Sequence, residues 1–147
     1  MAATRPTRNQ NPRADVQPAP VRWRILLVDD DDRARAAGWL QAMGCEVMAE
    51  CSGATGTARL VTETRRGPVH GVMVNIQLPD AEETILSELR RAYPDVPLMV
   101  MAEAGHINKL RRAVERGARE YLVTPFDGEL FQQKCRRVFQ GPPAGVT

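Results

Sequence analysis

From residue 25 onward the apolar positions follow two alternating rhythms. Ile25-Leu26-Leu27-Val28 is an unbroken apolar run, the pattern of a short strand buried on both faces. Ala36, Trp39, Leu40 and Met43 then recur at i, i+3, i+4 and i+7, one face of a helix that Gly44 ends. Cys45 to Glu50 reads as a half-polar strand near a sheet edge, and Gly53 to Thr64 as a weak helix of small residues. Val69 to Val74 is a second buried strand. Ile85, Leu86 and Leu89 mark a third helix, stopped by Pro94. Leu98 to Met101 is a strand reached through Pro97, and Ile107, Leu110 and Val114 mark a fourth helix ended at Gly117. Tyr121-Leu122-Val123 is the last strand, and Phe131, Cys135 and Val138 give the fifth helix its apolar face.

Strands that alternate with helices at this spacing imply a parallel sheet covered on both sides. The expected fold is α/β, a flavodoxin-like (βα)5 three-layer sandwich with strand order 2-1-3-4-5. In such sheets the working crevice lies at the carboxyl ends of the strands. The folded domain is expected over residues 22–140. It is flanked by a basic, proline-rich tail at 1–21 and a short tail at 141–147. The first tail has four prolines and little to bury, so it offers no compensation for ordering.

Composition narrows the class without naming a function. At 147 residues, 43% hydrophobic and 26% charged, the chain suits one globular domain. It has no run long enough for a membrane span and no apolar leader. Three cysteines without metal-ligand spacing argue against a disulfide framework or a zinc site and fit a cytoplasmic protein. The net charge of +2 is uneven: residues 1–24 hold five Arg and one Asp, and the remainder holds 15 Lys+Arg against 17 Asp+Glu.

The strongest chemical feature is Asp29-Asp30-Asp31-Asp32, directly after the first strand. Asp31 or Asp32 can cap the following helix and favour its dipole. Asp29 and Asp30, at the strand's end, suit an acidic pocket for a hard cation such as Mg²⁺. His70 and His106 stand apart from any histidine-phosphotransfer setting and read as core or surface residues. Ser52 to Gly56 lacks the glycine spacing of a phosphate loop.

The run IleLeuLeuValAspAsp at 25–30 resembles the opening of bacterial response-regulator receiver domains, the family of the chemotaxis protein CheY. The likeness continues through Ser52-Gly53, ValMetValAsnIleGlnLeuPro at 72–79 and GlyAlaArgGluTyrLeuValThrProPhe at 117–126, and covers residues 24–139. It implies a self-catalysed phosphoryl transfer to an aspartate ending strand three, with Mg²⁺ held by acids after strand one. A Thr or Ser after strand four and a Lys after strand five would bind the phosphoryl oxygens. Carried over by position, the acids match Asp29 and Asp30, the acceptor position holds Asn75, the hydroxyl position Met101 and the lysine position Thr124. An amide is no nucleophile, Met101 donates no hydrogen bond, and Thr124 carries no charge. The loop after Pro79 lacks the family's glycine and is one residue short. Thr124-Pro125 matches the family's Lys-Pro, where the peptide is cis, and Tyr121 its switch aromatic.

These residues predict a degenerate, stand-alone receiver that is not an enzyme, carries no cofactor beyond weak Mg²⁺ at Asp29 and Asp30, and works in the cytoplasm by protein contact. No output domain is expected after Phe139. The contact face is expected on helix four, strand five and helix five. There Lys109, Arg112 and Arg116 line one side of helix four near Tyr121, and Arg111, Arg119, Lys134 and Arg137 extend the charge. This face suits an acidic partner and allows a homodimer. Two other readings compete: a receiver that still switches through a ligand or metal in the acidic pocket, and a nucleic-acid-binding accessory protein using the Arg-rich tail and helix four. The net acidic core weighs against the second, and neither a membrane nor a nucleic acid is expected as partner.

Overall fold

The computed structural model describes residues 21–30 and 33–140. Five strands form one parallel sheet: β1 (Arg24–Val28), β2 (Glu46–Glu50), β3 (Gly71–Asn75), β4 (Leu98–Glu103) and β5 (Glu120–Thr124), in the spatial order β2-β1-β3-β4-β5. Between and after them run α1 (Arg33–Ala42), α2 (Gly53–Arg66), α3, α4 (Ile107–Glu115) and α5 (Gly128–Phe139), with a 3₁₀ turn, Ala104–His106, leading into α4. Here α3 is a π-helical stretch, Glu82–Leu89, continued by one α-turn, Arg90–Ala92. The flavodoxin-like architecture and strand order expected from the sequence are those observed.

Alternation along the strands sorts the core into two layers. Leu26, Val28, Val72, Val74, Leu98 and Val100 face Leu60, Ile85, Leu89, Leu110 and Ala113 of α2, α3 and α4. Ile25, Leu27, Met73, Met99, Met101 and Leu122 face Ala36, Leu40, Phe131, Cys135 and Phe139 of α1 and α5. Each such aliphatic or aromatic side chain contributes about 1.5–3 kcal/mol when fully buried. β2 lies at the sheet edge, as its half-polar pattern indicates. Gly44 and Gly117 stop α1 and α4 in the left-handed region, at φ of 98° and 117°.

Several boundaries differ from the sequence reading. β3 and β4 run further, to Asn75 and Glu103, because parallel pairing carries on past the apolar run: Asn75 pairs with Met101 and Glu103 with Thr124. Val21, assigned to the tail, donates its N–H to the Met43 carbonyl at 2.9 Å and packs on the core. Val114 is 38% exposed, and Ala113 takes the inward position beside Leu110. The apolar face of α4 therefore turns through Ile107, Leu110 and Ala113. The third helix winds more widely than an α-helix over Glu82–Leu89, between Asp80, which bonds to the start of α2, and Arg90, which bonds to the loop before β4. The tails at 1–20 and 141–147, and Asp31 and Asp32 with their capping role, lie outside the described residues.

His70 is not inside a strand; it stands one residue before β3, where its Nδ1 accepts the Arg24 backbone N–H at 3.0 Å. That bond needs a neutral ring. Burial, reinforced by the Arg24 charge, holds the imidazole below its ordinary pKa of 6.5. The unfolded chain therefore takes up the proton first. The stability this gives is complete above pH 6.5 and is lost as pH falls from there through the lowered folded value. Urea unfolding between pH of about 7 and about 5.5 is expected to show a decline that His70→Gln flattens. An equal decline in the variant would assign it to other groups.

Buried Glu63 of α2 gathers guanidinium groups from Arg24 and from Arg59, the latter at 2.7 Å. Its hydrogen bond from Arg59 holds its carboxyl below the usual range. Arg59 also reaches Glu50 of β2 at 2.8 Å, so this network ties α2 to the first two strands.

Candidate functional site

Parallel, in-register pairing brings the ends of β1, β3, β4 and β5 to one rim. Val28 pairs with Val74, which sets Asp29 beside Asn75, and Asn75 pairs with Met101. Thr124 ends β5 opposite Glu103. Asp29, Asn75, Gln77, Met101, Ala102, Glu103 and Thr124 line a cleft of about 50 Å³, space for a few waters.

The polar groups in this cleft are engaged with one another. Asp29 is 1% exposed, and its Oδ1 accepts the Asp30 N–H at 2.7 Å and the Asn75 Nδ2 amide at 3.0 Å. Asn75 Oδ1 accepts the Gln77 N–H at 2.9 Å, which fixes the turn after β3. The carboxamide is thus used at both ends, donating to the buried carboxylate and accepting from its own loop. Met101 is buried with its thioether in the core layer beneath the rim, and Thr124 is half-buried. Asp30 is exposed and does not line the cleft.

The sequence reading missed a cross-rim clamp. Gln77 Oε1 accepts the Glu103 backbone N–H at 2.7 Å, and Gln77 Nε2 donates to Glu103 Oε1 at 3.3 Å. These two bonds tie the loop after β3 to the end of β4. The signal was present: Gln77 and Glu103 each stand two residues beyond the paired Asn75 and Met101.

It also missed Asp80. The carboxylate accepts the Gly53 and Ala54 N–H groups, both at 2.8 Å, and so caps α2 from across the fold. Ser52 adds the local cap to the Thr55 N–H. Thr84 folds back on the Asp80 carbonyl through its N–H at 3.0 Å and its hydroxyl at 2.6 Å. A Cβ on Gly53 would lie 1.8 Å from Thr84 Oγ1, so this approach needs glycine. The shortened loop after Pro79 is built around these contacts.

A hard divalent ion needs about six oxygen ligands. Among the described residues no three His, Cys, Asp or Glu side chains group to hold one. Asp29 Oδ1 already accepts two N–H groups, and the cleft turns the NH₂ of Asn75 toward it. These residues do not fit a resident Mg²⁺.

The expected contact face is only partly assembled. Tyr121 is half-buried on β5, and Lys134 Nζ of α5 donates to its carbonyl at 2.6 Å and lies 5.0 Å from its ring centroid. Lys134 and Arg137 share the Glu120 carboxylate at 3.3 and 3.2 Å, so each of these two α5 cations has a counter-ion. Lys109 is half-buried and Arg112 exposed on α4. Arg116 caps the end of α4 and reaches Ser87 Oγ of α3 at 2.8 Å, leaning away from α5. The Thr124-Pro125 peptide is cis. His106 closes the 3₁₀ turn before α4.

The signature of the response regulator receiver domain matches residues 25–136. The chain is 32% identical over 106 residues to the transcriptional regulatory protein PrrA of Mycobacterium leprae, covering 70% of this chain and 44% of that protein. It is 29% identical over 125 residues to the two-component response regulator ORR21 of Oryza sativa subsp. indica, covering 82% of this chain and 18% of that one. It thus spans less than half the length of these relatives. Among solved structures, NtrX from Brucella abortus in complex with ADP superposes with a TM-score of 0.68 at 26% identity, over 80% of this chain and 26% of that one. The chemotaxis response regulator CheY4 of Vibrio cholerae shares the fold, with a TM-score of 0.67 at 20% identity, over 80% of this chain and 98% of that one. Among the described residues no helix is long and apolar enough to cross a membrane. With the 2-1-3-4-5 sheet, the acidic start of the rim and the family signature over most of its length, this chain belongs to the response-regulator receiver domains of two-component signalling.

Proposed function

We propose that this receiver signals by protein contact and does not use phosphoryl transfer. The observation that carries the reading is Asn75: at the end of β3, where the family places its acceptor aspartate, stands a carboxamide bonded to Asp29 and Gln77. A carboxamide cannot form an acyl phosphate. Thr124 supplies no positive charge to a transferred group, and Met101 no hydrogen-bond donor. The Gln77–Glu103 clamp and the Lys134 contacts to Tyr121 support a single resting arrangement of the rim and of β5, competent without a chemical trigger. The protein acts in the bacterial cytoplasm, without a resident cofactor, and the surplus arginine on its surface suits an acidic partner.

The test is incubation with acetyl phosphate and Mg²⁺ followed by intact-mass spectrometry. The expected result is no phosphoryl adduct at any time. A hydroxylamine-labile phosphoryl adduct would overturn the reading.

A further inference from the structure

We propose that an acidic protein segment docks on the arginine cluster where α3 and α4 end, and not on the α4–β5–α5 face. This rests on the contact-signalling reading and names the surface and the chemistry of its partner.

The two helix ends are held together. Arg90 of α3 donates to the Gly117 carbonyl at 2.7 Å, and Arg116 donates to Ser87 Oγ of α3 at 2.8 Å. Arg91 next to Arg90, Arg111 and Arg112 within α4, Arg116 at its end and Arg119 two residues past Gly117 are all exposed. Among the described residues none of the five forms an ion pair with a carboxylate. Elsewhere Arg59 pairs with Glu50 and Glu63, Lys134 and Arg137 share Glu120, and Arg22, Arg35, Arg65 and Arg136, unpaired among the described residues, stand singly on different segments. The cluster also crowds its own centre, since burial and then the Arg119 charge push the Arg90 guanidinium below its ordinary pKa. Helix dipoles explain arginine in the last turns of α3 and α4. Arg119 lies outside both helices, and its guanidinium donates to the Val138 carbonyl in the last turn of α5 at 3.5 Å.

Uncompensated guanidinium groups are forks for carboxylate or phosphate oxygens. Here the surroundings favour carboxylates on a short peptide. Exposed Glu88, Asp95 and Glu115 interrupt and border the cluster, next to Ser87, the α3–β4 loop and Arg116. A continuous phosphodiester track crossing the patch would meet these carboxylates. A short segment can place individual Glu or Asp side chains between them. On the α5 side Lys134 and Arg137 share the Glu120 carboxylate, so fewer guanidinium groups stand without a counter-ion there.

The test uses the full chain and fluorescence anisotropy. The probes are a fluorescein-labelled peptide with a run of glutamates and a single-stranded DNA of equal charge. The expected result is peptide binding that weakens with salt and falls about tenfold or more in Arg112→Glu/Arg116→Glu/Arg119→Glu, while Lys134→Ala/Arg137→Ala stays within about twofold. Urea unfolding checks that the variants fold, and the triple Arg→Gln variant repeats the measurement without added negative charge. Retained peptide binding in both triple variants would overturn the proposal. So would loss of binding in the α5 variant alone, or tighter binding of DNA than of peptide. Phosphoryl transfer is read separately by mass, so failure of the contact-signalling reading appears as an adduct and not as a change in anisotropy.

Discussion

Asn75→Asp is expected to accept phosphate from acetyl phosphate only slowly, and Asn75→Asp/Thr124→Lys/Met101→Thr about 10²–10³-fold faster. The single change supplies the nucleophile but removes the amide that donates to Asp29 Oδ1 at 3.0 Å. Two carboxylates then face each other across a cleft without a cation, and their repulsion holds the site apart unless Mg²⁺ enters between them. The incoming phosphoryl group also meets Thr124, which neutralises nothing, and the Met101 position, whose buried side chain offers no donor. Removing one preorganised donor from a charged transition state costs about 10²–10³ in rate, and because lysine and threonine would act on the same phosphoryl group their gains overlap, so the pair together is expected to restore about that much. Mg²⁺ dependence should appear with the new aspartate, because the native donor set does not suit the ion. Rates are read from intact mass against time for each variant. A single Asn75→Asp variant as fast as the triple would show that Met101 and Thr124 do not limit the site.

Much of this fold was legible in the sequence because its signals are local. Continuous apolar runs mark the inner strands, three-and-four spacing marks the helices, and glycine after α1 and α4 marks their ends. The rim was legible too, since strand ends in a parallel sheet fall together once the strand order is known. What escaped were contacts that depend on register or on reach across the fold. Gln77 meets Glu103 only because Asn75 pairs with Met101. Asp80 finds the first N–H groups of α2 at a separation of 27 residues, for which no local pattern exists. The spacing of Ile85, Leu86 and Leu89 serves an α-helix and a wider π-winding equally. Charge was the least legible quantity. Lys134 and Arg137 read as free cations along the chain, yet both pair with Glu120, and Arg116 leans toward α3. A count of basic residues on a helix therefore pointed to a face whose charge the fold had partly spent.

Arg90→Met is expected to destabilise the domain by roughly 3 kcal/mol, one of the largest costs among single substitutions near the surface. The Arg90 guanidinium donates to the carbonyls of Tyr93, Pro94 and Val96 at 3.4, 3.0 and 2.7 Å, and to that of Gly117 at 2.7 Å. These oxygens close α3, open the approach to β4 and end α4, where helix carbonyls lack partners of their own. Methionine keeps the length and much of the packing of the stem but donates nothing. The Tyr93 carbonyl keeps the Val96 N–H at 3.2 Å, but those of Pro94, Val96 and Gly117 turn to water or stay unsatisfied. A hydrogen bond from a charged donor is worth about 1.5–3 kcal/mol, with losses partly shared among bonds to one group. Urea unfolding should show a lower midpoint at unchanged slope, the mark of lost stability without a changed unfolded state. Arg90→Lys should recover only part of the loss, because an ammonium reaches the carbonyls as a point and not as a planar fork. A cost below about 1 kcal/mol for Arg90→Met would mean that water replaces the guanidinium freely, and the α3–α4 junction would then owe its geometry to Gly117, whose φ of 117° already suits the turn.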